Sequence, residues 1–592
     1  MPRLLQYLSD ARTVIGRVVR HRQLVLFALG VAVGAIAAGG AIAFRDLIGL
    51  IQWGAFGFAS ENVYSLAAEL PWWRILLVPT LGGLVIGLFI HFVMPGRQPQ
   101  GVAHVMEATA LRGGRMDIKA GLGTALASAA SIGVGASVGR EGPVVHLGAS
   151  LSAWIAAKLH LSRQLGLTLL GCGVASAIAA SFNTPIAGVF FALEVVVGHY
   201  ALSSFAPIVI ASVTGTILSR LYYGDFPAFV MPQHTIVSFW EFPAFAIVGI
   251  AAAAVAVVFI KATMAAQDRI AALPGPAWIK PAAAGLVLGV VALEFPHVLG
   301  VGYETTDTAL AGRFAMGMLA VLLVLKLVVT ALCLGAGFGG GVFSPSLVMG
   351  ALMGALIGGL ATQAAPELSS GPSAYAIVGM GALAGAVLGA PISTILIIFE
   401  LTSSFSLTIA VMVGVVIASV ITQSLVGRSF FTVQLERRGI RIDRGREISL
   451  LRSRKVTEIM ETDFETVPED RPLPEVREKL RNAPGGELFV TDQAGAVTGT
   501  ITLADLSEAA FDTSYDALLK AHDVARGNPP VVAQDANLED ARNLLDESHE
   551  DRLAVVTDLQ SMTMIGYVRA RDIIHAYSRA LMQVRAEERG EA

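Results

Sequence analysis

The sequence predicts an all-α polytopic membrane domain, built from a duplicated unit with broken helices and followed by a smaller α/β tail. Three observations predict it: a very apolar composition, two ordered matches of the chain to itself, and a shift in composition near Gly427. Of the 592 residues, 54% are hydrophobic and 15% are charged, and the mean hydropathy is +0.65. A soluble globular protein is far more polar than this, so a purely soluble chain is excluded.

Apolar runs begin at Leu24 (LVLFALGVAVGAIAAGGAIAF) and recur to about Leu425. The chain opens on a polar, basic stretch without a cleavage-site pattern, so no cleavable signal peptide is expected. Arg3, Arg12, Arg17, Arg20 and Arg22 precede the first run; Arg428, Arg437, Arg438, Arg441, Arg444 and Arg446 follow the last. Basic flanks favour the cytoplasmic side. Both termini are therefore expected in the cytoplasm, with an even number of full crossings of a cell (inner) membrane. Gly and Pro cut many of the runs, as tilted, broken and re-entrant helices require. The net charge of −4 singles out no partner beyond the lipid bilayer, and nucleic-acid binding is not expected. Cys172 and Cys333 lie in apolar segments, as small core residues rather than a disulfide or metal framework.

The duplication carries the architecture. GVGASVGREGPVVHLGA, Gly133–Ala149, aligns with GAGFGGGVFSPSLVMGA, Gly335–Ala351. Gly133, Gly135, Gly139, Pro143, Gly148 and Ala149 coincide with Gly335, Gly337, Gly341, Pro345, Gly350 and Ala351 at an offset of 202 (345 − 143). PIAGVFFALE, Pro185–Glu194, then aligns with PISTILIIFE, Pro391–Glu400, at an offset of 206 (391 − 185). Transport proteins often carry such repeats in inverted orientation, with the ion site at their interface. In each copy glycines precede a Pro and an apolar helical stretch, which describes a helix N-terminus with bare backbone N–H groups. Bare amides and the positive end of the helix dipole attract an anion without a full positive charge, so the anion can leave again. Downstream, Gly350, Gly354 and Gly358 form a small-xxx-small face for close helix packing.

GREGP at Gly139–Pro143, GGVFSP at Gly340–Pro345, and the pair SFNTPIAGVFFALE and LGAPISTILIIFE resemble the CLC family of chloride channels and proton-coupled chloride exchangers, over roughly residues 24–435. The resemblance implies an inverted-repeat multi-helix CLC fold, a homodimer, and one voltage-gated pathway per subunit for an anion, chloride foremost. It implies that Glu141 is the gating glutamate, and that the backbone amides of Arg140, Glu141, Gly142, Val342, Phe343 and Ser344 contact the anion. The physical reading agrees. An ionised carboxylate can occupy an amide-lined anion site, and protonation removes its attraction to the helix ends. The structural alternative is a helix-capping glutamate, or one ion-paired to Arg140.

Three departures from the family pattern bear on selectivity and mechanism. The first filter element, GSGIP in the family, corresponds here to PQGVA, Pro99–Ala103, which places Gln100 at the serine position beside Gly101. A glutamine amide also donates, but it is longer and carries an acceptor. The family's pore tyrosine corresponds to Phe431 in GRSFFTVQL, which keeps the bulk and loses the hydroxyl. Fluoride, nitrate or bicarbonate thus stand beside chloride as possible anions. Many family exchangers carry a second, proton-passing glutamate where this chain has Val195. Valine relays no proton, so a passive channel is expected ahead of an exchanger. Glu194 and its repeat partner Glu400 are read as structural, bonded to exposed backbone amides near a helix end.

A rival reading starts from GASVG, Gly135–Gly139, which fits G-x-S-x-G and would make Ser137 an intramembrane protease nucleophile with His199 or His91 as base. The second repeat has Gly339 at the serine position, and the glycines already have an explanation, so no enzymatic activity is expected. His104, His146 and His199 lack metal-ligand spacing and are read as pore-peripheral or structural. Lys326 and Glu294 are isolated charges expected at membrane boundaries or in pairs.

In the tail, ELFVTDQAGAVTGTITLADL and RLAVVTDLQSMTMIGYVRARDII each read as strand, turn, strand and a helix opened by Asp. They resemble a tandem pair of CBS domains, cytoplasmic α/β modules that dimerise and often bind adenine nucleotides. In that family Gly-x-x-Thr-x-x-Asp surrounds ribose and phosphate. Gly499, Thr502 and Asp505 fit; Gly566, Arg569 and Asp572 keep the Asp and put Arg at the Thr position, where it can pair with phosphate. The alternative is a pair that only dimerises, with Asp505 and Asp572 as ordinary N-caps. No cofactor is required, and an adenine nucleotide is the candidate ligand. The expected organisation is a cytoplasmic segment 1–23, the membrane domain 24–432 with repeats at roughly 24–220 and 240–432, a basic linker 433–454, CBS units 455–512 and 520–582, and a charged tail 583–592.

Overall fold

The computed structural model describes residues 22–440 apart from 199, 201, 226–228 and 230–235, and residues 451–589 apart from 452–453, 484–485, 507–513, 515, 517 and 549. Arg3, Arg12, Arg17, Arg20, His199, Arg441, Arg444 and Arg446 lie outside the described residues. Contacts divide the chain into two compact units, 1–441 and 442–592.

The first unit is helical. Nine of its described helices are long and apolar enough to cross a membrane, and four shorter apolar ones are Val102–Leu111, Pro185–Val197, Pro372–Leu388 and Pro391–Thr402. Three of the four short helices begin at a Pro, which pre-sets the first helical φ and lacks an N–H that would go unpaired there.

The helices repeat in order. Arg22–Phe56, Trp72–Phe92, Val102–Leu111, Ile118–Gly133, Glu141–Lys158, Arg163–Phe182, Pro185–Phe191 and Leu202–Tyr223 form the first copy, with a short Val63–Ala68 helix inserted after its first member. Phe242–Ala272, Lys280–Glu294, Tyr303–Leu310, Met316–Ala336, Phe343–Ala364, Pro372–Leu388, Pro391–Thr402 and Phe405–Val426 form the second. Backbone detail repeats with them. Gly135 and Gly337 have φ of 92° and 96°, a left-handed conformation that glycine adopts without a Cβ penalty. A final short helix, Phe430–Glu436, follows the second copy.

Membrane helices gain little by burying apolar groups from lipid, so close backbone packing carries their association. Gly350, Gly354 and Gly358 lie against the Pro372–Leu388 helix, and a Cβ at Gly354 would overlap the Tyr375 carbonyl. At Gly359, one residue off this face, a Cβ would meet only the flexible Met316 side chain at 3.2 Å. Gly354→Ala should therefore destabilise the protein by about 1–3 kcal/mol, while Gly359→Ala should be tolerated. Thermal unfolding in detergent, followed by size-exclusion chromatography, checks this; equal losses would refute the packing account. Three buried hydroxyls are satisfied within their own helices: Ser131, Ser152 and Ser346 donate to the carbonyls of Ala127, Gly148 and Val342, each at 2.7 Å.

The second unit contains two related halves. In the first, β1 (Thr466–Pro468), β2 (Glu487–Thr491), β3 (Val497–Thr502) and β4 (Arg526–Gly527) form a sheet in that order. In the second, β5 (Val531–Ala533), β6 (Arg552–Val556) and β7 (Met564–Arg569) do the same. Each half pairs its first two strands in parallel and the next antiparallel, with a register shift at Val490/Thr491 and at Val555/Val556. Phe489, Val497, Ala554, Val556, Met564 and Tyr567 form a buried cluster that draws on both halves.

Candidate functional site

The two repeats touch at their glycines. Gly139 N–H donates to the Gly341 carbonyl and Gly341 N–H to the Gly139 carbonyl, both at 2.7 Å, an antiparallel bridge. Two residues beyond each glycine a helix begins, Glu141–Lys158 and Phe343–Ala364. These starts differ by 202 (343 − 141), the offset of the sequence match. The bridge thus brings together two helix N-termini, each with unpaired first-turn amides and a positive dipole end.

Glu141 is fully buried there. Its Oε1 accepts from the Tyr303 hydroxyl at 2.7 Å, and its Oε2 accepts from the Ser344 hydroxyl. The Arg140 Nε lies 3.8 Å from Oε1, but the guanidinium is committed elsewhere. It donates to Glu61 at 2.6 Å and lies over the Tyr303 ring, 4.5 Å from its centre.

A narrow cavity of about 80 Å³ is lined by Gln100, Gly101, Glu141, Gly142, Val342, Phe343 and Phe431, with His104, Gln434 and Arg438. Seven of the expected anion-site residues thus share one cavity. Arg140 and Ser344, expected to contribute backbone amides, do not line it. The Arg140 side chain faces a second, wider cavity of about 570 Å³, lined also by Arg45, Glu61 and Tyr303. Ser344 is fully buried, its hydroxyl spent on Glu141. Among the described residues the two cavities share no lining residue, and the Glu141–Tyr303 hydrogen bond joins the wall of one to the wall of the other.

Gln100 is fixed at both ends. Its backbone N–H donates to Thr124 Oγ1 at 3.2 Å, and its side-chain Oε1 lies 3.0 Å from His146 Nε2. Gly101 caps the Val102–Leu111 helix, its N–H donating to His104 Nδ1 at 3.2 Å, while Arg438 lies 2.7 Å from His104 Nε2. Of the histidines read as pore-peripheral or structural, His104 lines the narrow cavity and His146 holds Gln100. Phe431 is buried edge-on to Phe430, with centroids 6.0 Å apart.

Glu194 and Glu400 exchange equivalent contacts between the repeats. Glu194 accepts from the N–H groups of Ile392 and Ser393 at 3.1 and 2.8 Å, and Glu400 from those of Ile186 and Ala187 at 2.9 and 2.8 Å. Each carboxylate satisfies the bare N-terminus of the other copy's Pro-initiated helix. Val195 is buried in the irregular turn after the first of those helices.

One sequence reading is corrected. Among the described residues Lys326 has no ion pair; it is buried and donates to the carbonyls of Val298 and Gly300 at 3.2 and 3.0 Å. These carbonyls belong to the loop leading into Tyr303, so Lys326 satisfies backbone that a broken helix leaves open. Glu294 does sit exposed, at the end of its helix. Ser137 is buried and shares a 3.0 Å hydrogen bond with Thr330.

In the tail, Thr502 N–H and hydroxyl both donate to Asp505 Oδ2 at 2.7 Å, and Arg526 pairs with Oδ1 at 2.8 Å. That is the arrangement of a cap. Arg569 is bonded to Glu461 and to the Tyr567 hydroxyl, while Asp572 Oδ2 is buried without a hydrogen-bond partner. Burial pushes the Glu487 carboxyl up to about 7, against the opposing pull of Arg552 at 3.7 Å.

Tyr303, Glu61 and the contact of His146 with Gln100 were not foreseen. One signal was present: the duplication gives the helix capped by Gly101 a second copy, capped by Gly302 (302 − 101 = 201), and Tyr303 is the first residue of that copy.

Comparison with known proteins agrees with this architecture. Residues 82–423 match the voltage gated chloride channel family, and residues 456–512 and 521–579 match the CBS domain. A ClcB-like protein of Ralstonia nicotianae is 32% identical over 66% of this chain and 91% of its own length. Chloride channel protein CLC-f of Arabidopsis thaliana is 29% identical over 90% of this chain and 66% of its own length. Three solved structures share the fold: a slow cyanobacterial Cl-/H+ antiporter (TM-score 0.63, 21% identity, 71% of this chain and 98% of that one), a eukaryotic CLC transporter (0.61, 19%, 92% and 97%) and a CLC-type fluoride/proton antiporter (0.57, 21%, 69% and 97%). A duplicated helical unit, two helix N-termini joined at a buried glutamate and these matches lead to one assignment: the chain is an integral multi-pass membrane protein of the voltage gated chloride channel (CLC) family of anion transport proteins, with a C-terminal pair of CBS domains.

Proposed function

We propose that the protein is a passive chloride channel in which anions pass between the wide and narrow cavities under control of Glu141. The observation that carries this reading is the place of Glu141, a buried carboxylate held by two hydroxyls where both helix N-termini converge. Ionised, it stands in for the anion. Protonated, it loses its attraction to the dipole ends and yields the site. Gln100 and Phe431 set which anion is preferred, since they are the polar and aromatic side chains that replace the family's pore hydroxyls.

Val195 supports the channel over the exchanger: it is buried and cannot titrate. Glu194 is no substitute relay, because backbone amides hold its carboxylate. The curated relative CLC-f is named a chloride channel protein. Proton-coupled exchange is the second reading, favoured by the Cl-/H+ and fluoride/proton antiporters among the structures of the same fold. A homodimer with cytoplasmic termini, no enzymatic activity, and an adenine nucleotide at Thr502, Asp505 and Asp572 complete the proposal; the unpartnered Asp572 Oδ2 supports the last.

Flux from vesicles holding the purified protein tests the central reading. A chloride gradient should drive electrogenic chloride flow with no accompanying proton movement. Uphill proton uptake driven by that gradient would replace the channel with an exchanger.

A further inference from the structure

We propose that His146 is a positioning residue that sets the polarity of the narrow cavity by fixing which end of the Gln100 carboxamide faces the anion. The inference rests on the reading of that cavity as the anion path.

Gln100 lines the cavity with a group that can either attract or repel an anion, since a carboxamide has an NH2 donor end and an oxygen acceptor end. The oxygen is turned to the His146 ring, 3.0 Å from Nε2. That leaves the NH2 as the end presented to the cavity. The tautomer of His146 decides whether this orientation is stable. Among the described residues its buried Nδ1 has no hydrogen-bond partner, so a proton there would be an enclosed donor with nothing to accept it, a rare and costly state. The proton therefore belongs on Nε2, which donates to Gln100 Oε1. In the opposite tautomer Nε2 would accept from the NH2, and the amide oxygen would face the anion.

The surroundings favour the neutral ring. The ring is fully buried, so an added positive charge there would lose its hydration, and His104 packs edge-on at 6.3 Å. Glu141 lies on the same helix, five residues earlier, and Lys158 ends it, so gate and positioning ring ride on one element. The second repeat has Val348 where the first has His146 (348 − 146 = 202), and, with the helix caps Gly101 and Gly302 matched (302 − 101 = 201), Val301 where the first has Gln100. The pair belongs to one copy only, so packing of the shared architecture does not require it.

A double-mutant cycle in the full-length protein tests the assignment, read as chloride binding by isothermal titration and as chloride against nitrate flux in vesicles. His146→Leu should weaken chloride by about tenfold, the loss of one oriented hydrogen bond to an ion. His146→Gln keeps a donor within reach and should stay within about threefold of the parent. In a Gln100→Leu background, His146→Leu should add nothing. Equal losses in both backgrounds would make His146 merely structural and overturn the proposal. If Gln100→Leu alone left binding and selectivity unchanged, the reading of the cavity would itself fall. Nitrogen-15 solid-state NMR of the unmutated protein gives a readout independent of how variants fold: a proton on Nε2 is expected, and a proton on Nδ1 would refute the proposal.

Discussion

Glu141→Gln should abolish the acid dependence of anion flux, leaving chloride efflux flat between about pH 5 and 8 and at least about tenfold above the parent protein at neutral pH. The substitution is nearly isosteric. The amide oxygen can still accept from Tyr303, and the Ser344 hydroxyl can rotate to accept from the amide NH2, so the two contacts that seat the side chain survive. What disappears is the charge. An ionised carboxylate at two converging helix N-termini competes with the permeant anion for the same positive potential; a neutral amide competes weakly. Stopped-flow efflux across the pH series measures this. A pH slope unchanged from the parent would remove Glu141 as the gate and return it to a capping role.

How much of this was legible in the chain depends on how local the determining physics is. The two helix N-termini could be read because Gly and Pro act on their own backbone, and because the signal occurs twice in the same order. The reciprocal caps made by Glu194 and Glu400 followed from the same duplication: an acid at the end of one copy's element meets bare amides of the other. Arg140 was harder. Placed beside Glu141 in sequence, it was expected at the same site, but consecutive residues at a helix start point about 100° apart. That turn carries the guanidinium to Glu61 and the wide cavity. Tyr303 opens an ordinary-looking YETT helix, and nothing in its neighbours announces a bond to a residue 162 positions away. Lys326 is the reverse case. Its isolation in an apolar run was evident, but its partners are carbonyls of a broken loop, which carry no side-chain signature.

Tyr303→Phe and Ser344→Ala should each shift the pH dependence of flux upward, raising chloride efflux at neutral pH by about tenfold without removing the pH dependence. The sign follows from what the hydroxyls prefer. Both donate to the ionised carboxylate, so they hold Glu141 in its charged, site-filling form more strongly than in its protonated form. With one donor gone, less acid is needed to release the gate. A hydrogen bond to a charged group contributes about 1.5–3 kcal/mol, and about 1.4 kcal/mol is a tenfold change in an equilibrium. Each substitution isolates its hydroxyl. Tyr303→Phe keeps the ring that lies under Arg140 and edge-on to Phe229, with centroids 4.7 Å apart. Ser344→Ala keeps the backbone amide of the helix N-terminus. The paired variant should shift by less than the sum, because either remaining group and the nearby Arg140 can compensate when both hydroxyls contact one carboxylate. A shift to lower pH would mean that the hydroxyls favour the protonated gate, the opposite of the grip described here. No shift in either variant, with Glu141→Gln still abolishing the pH dependence, would mean that the helix N-termini alone hold the carboxylate and that Tyr303 and Ser344 only fill the space around it.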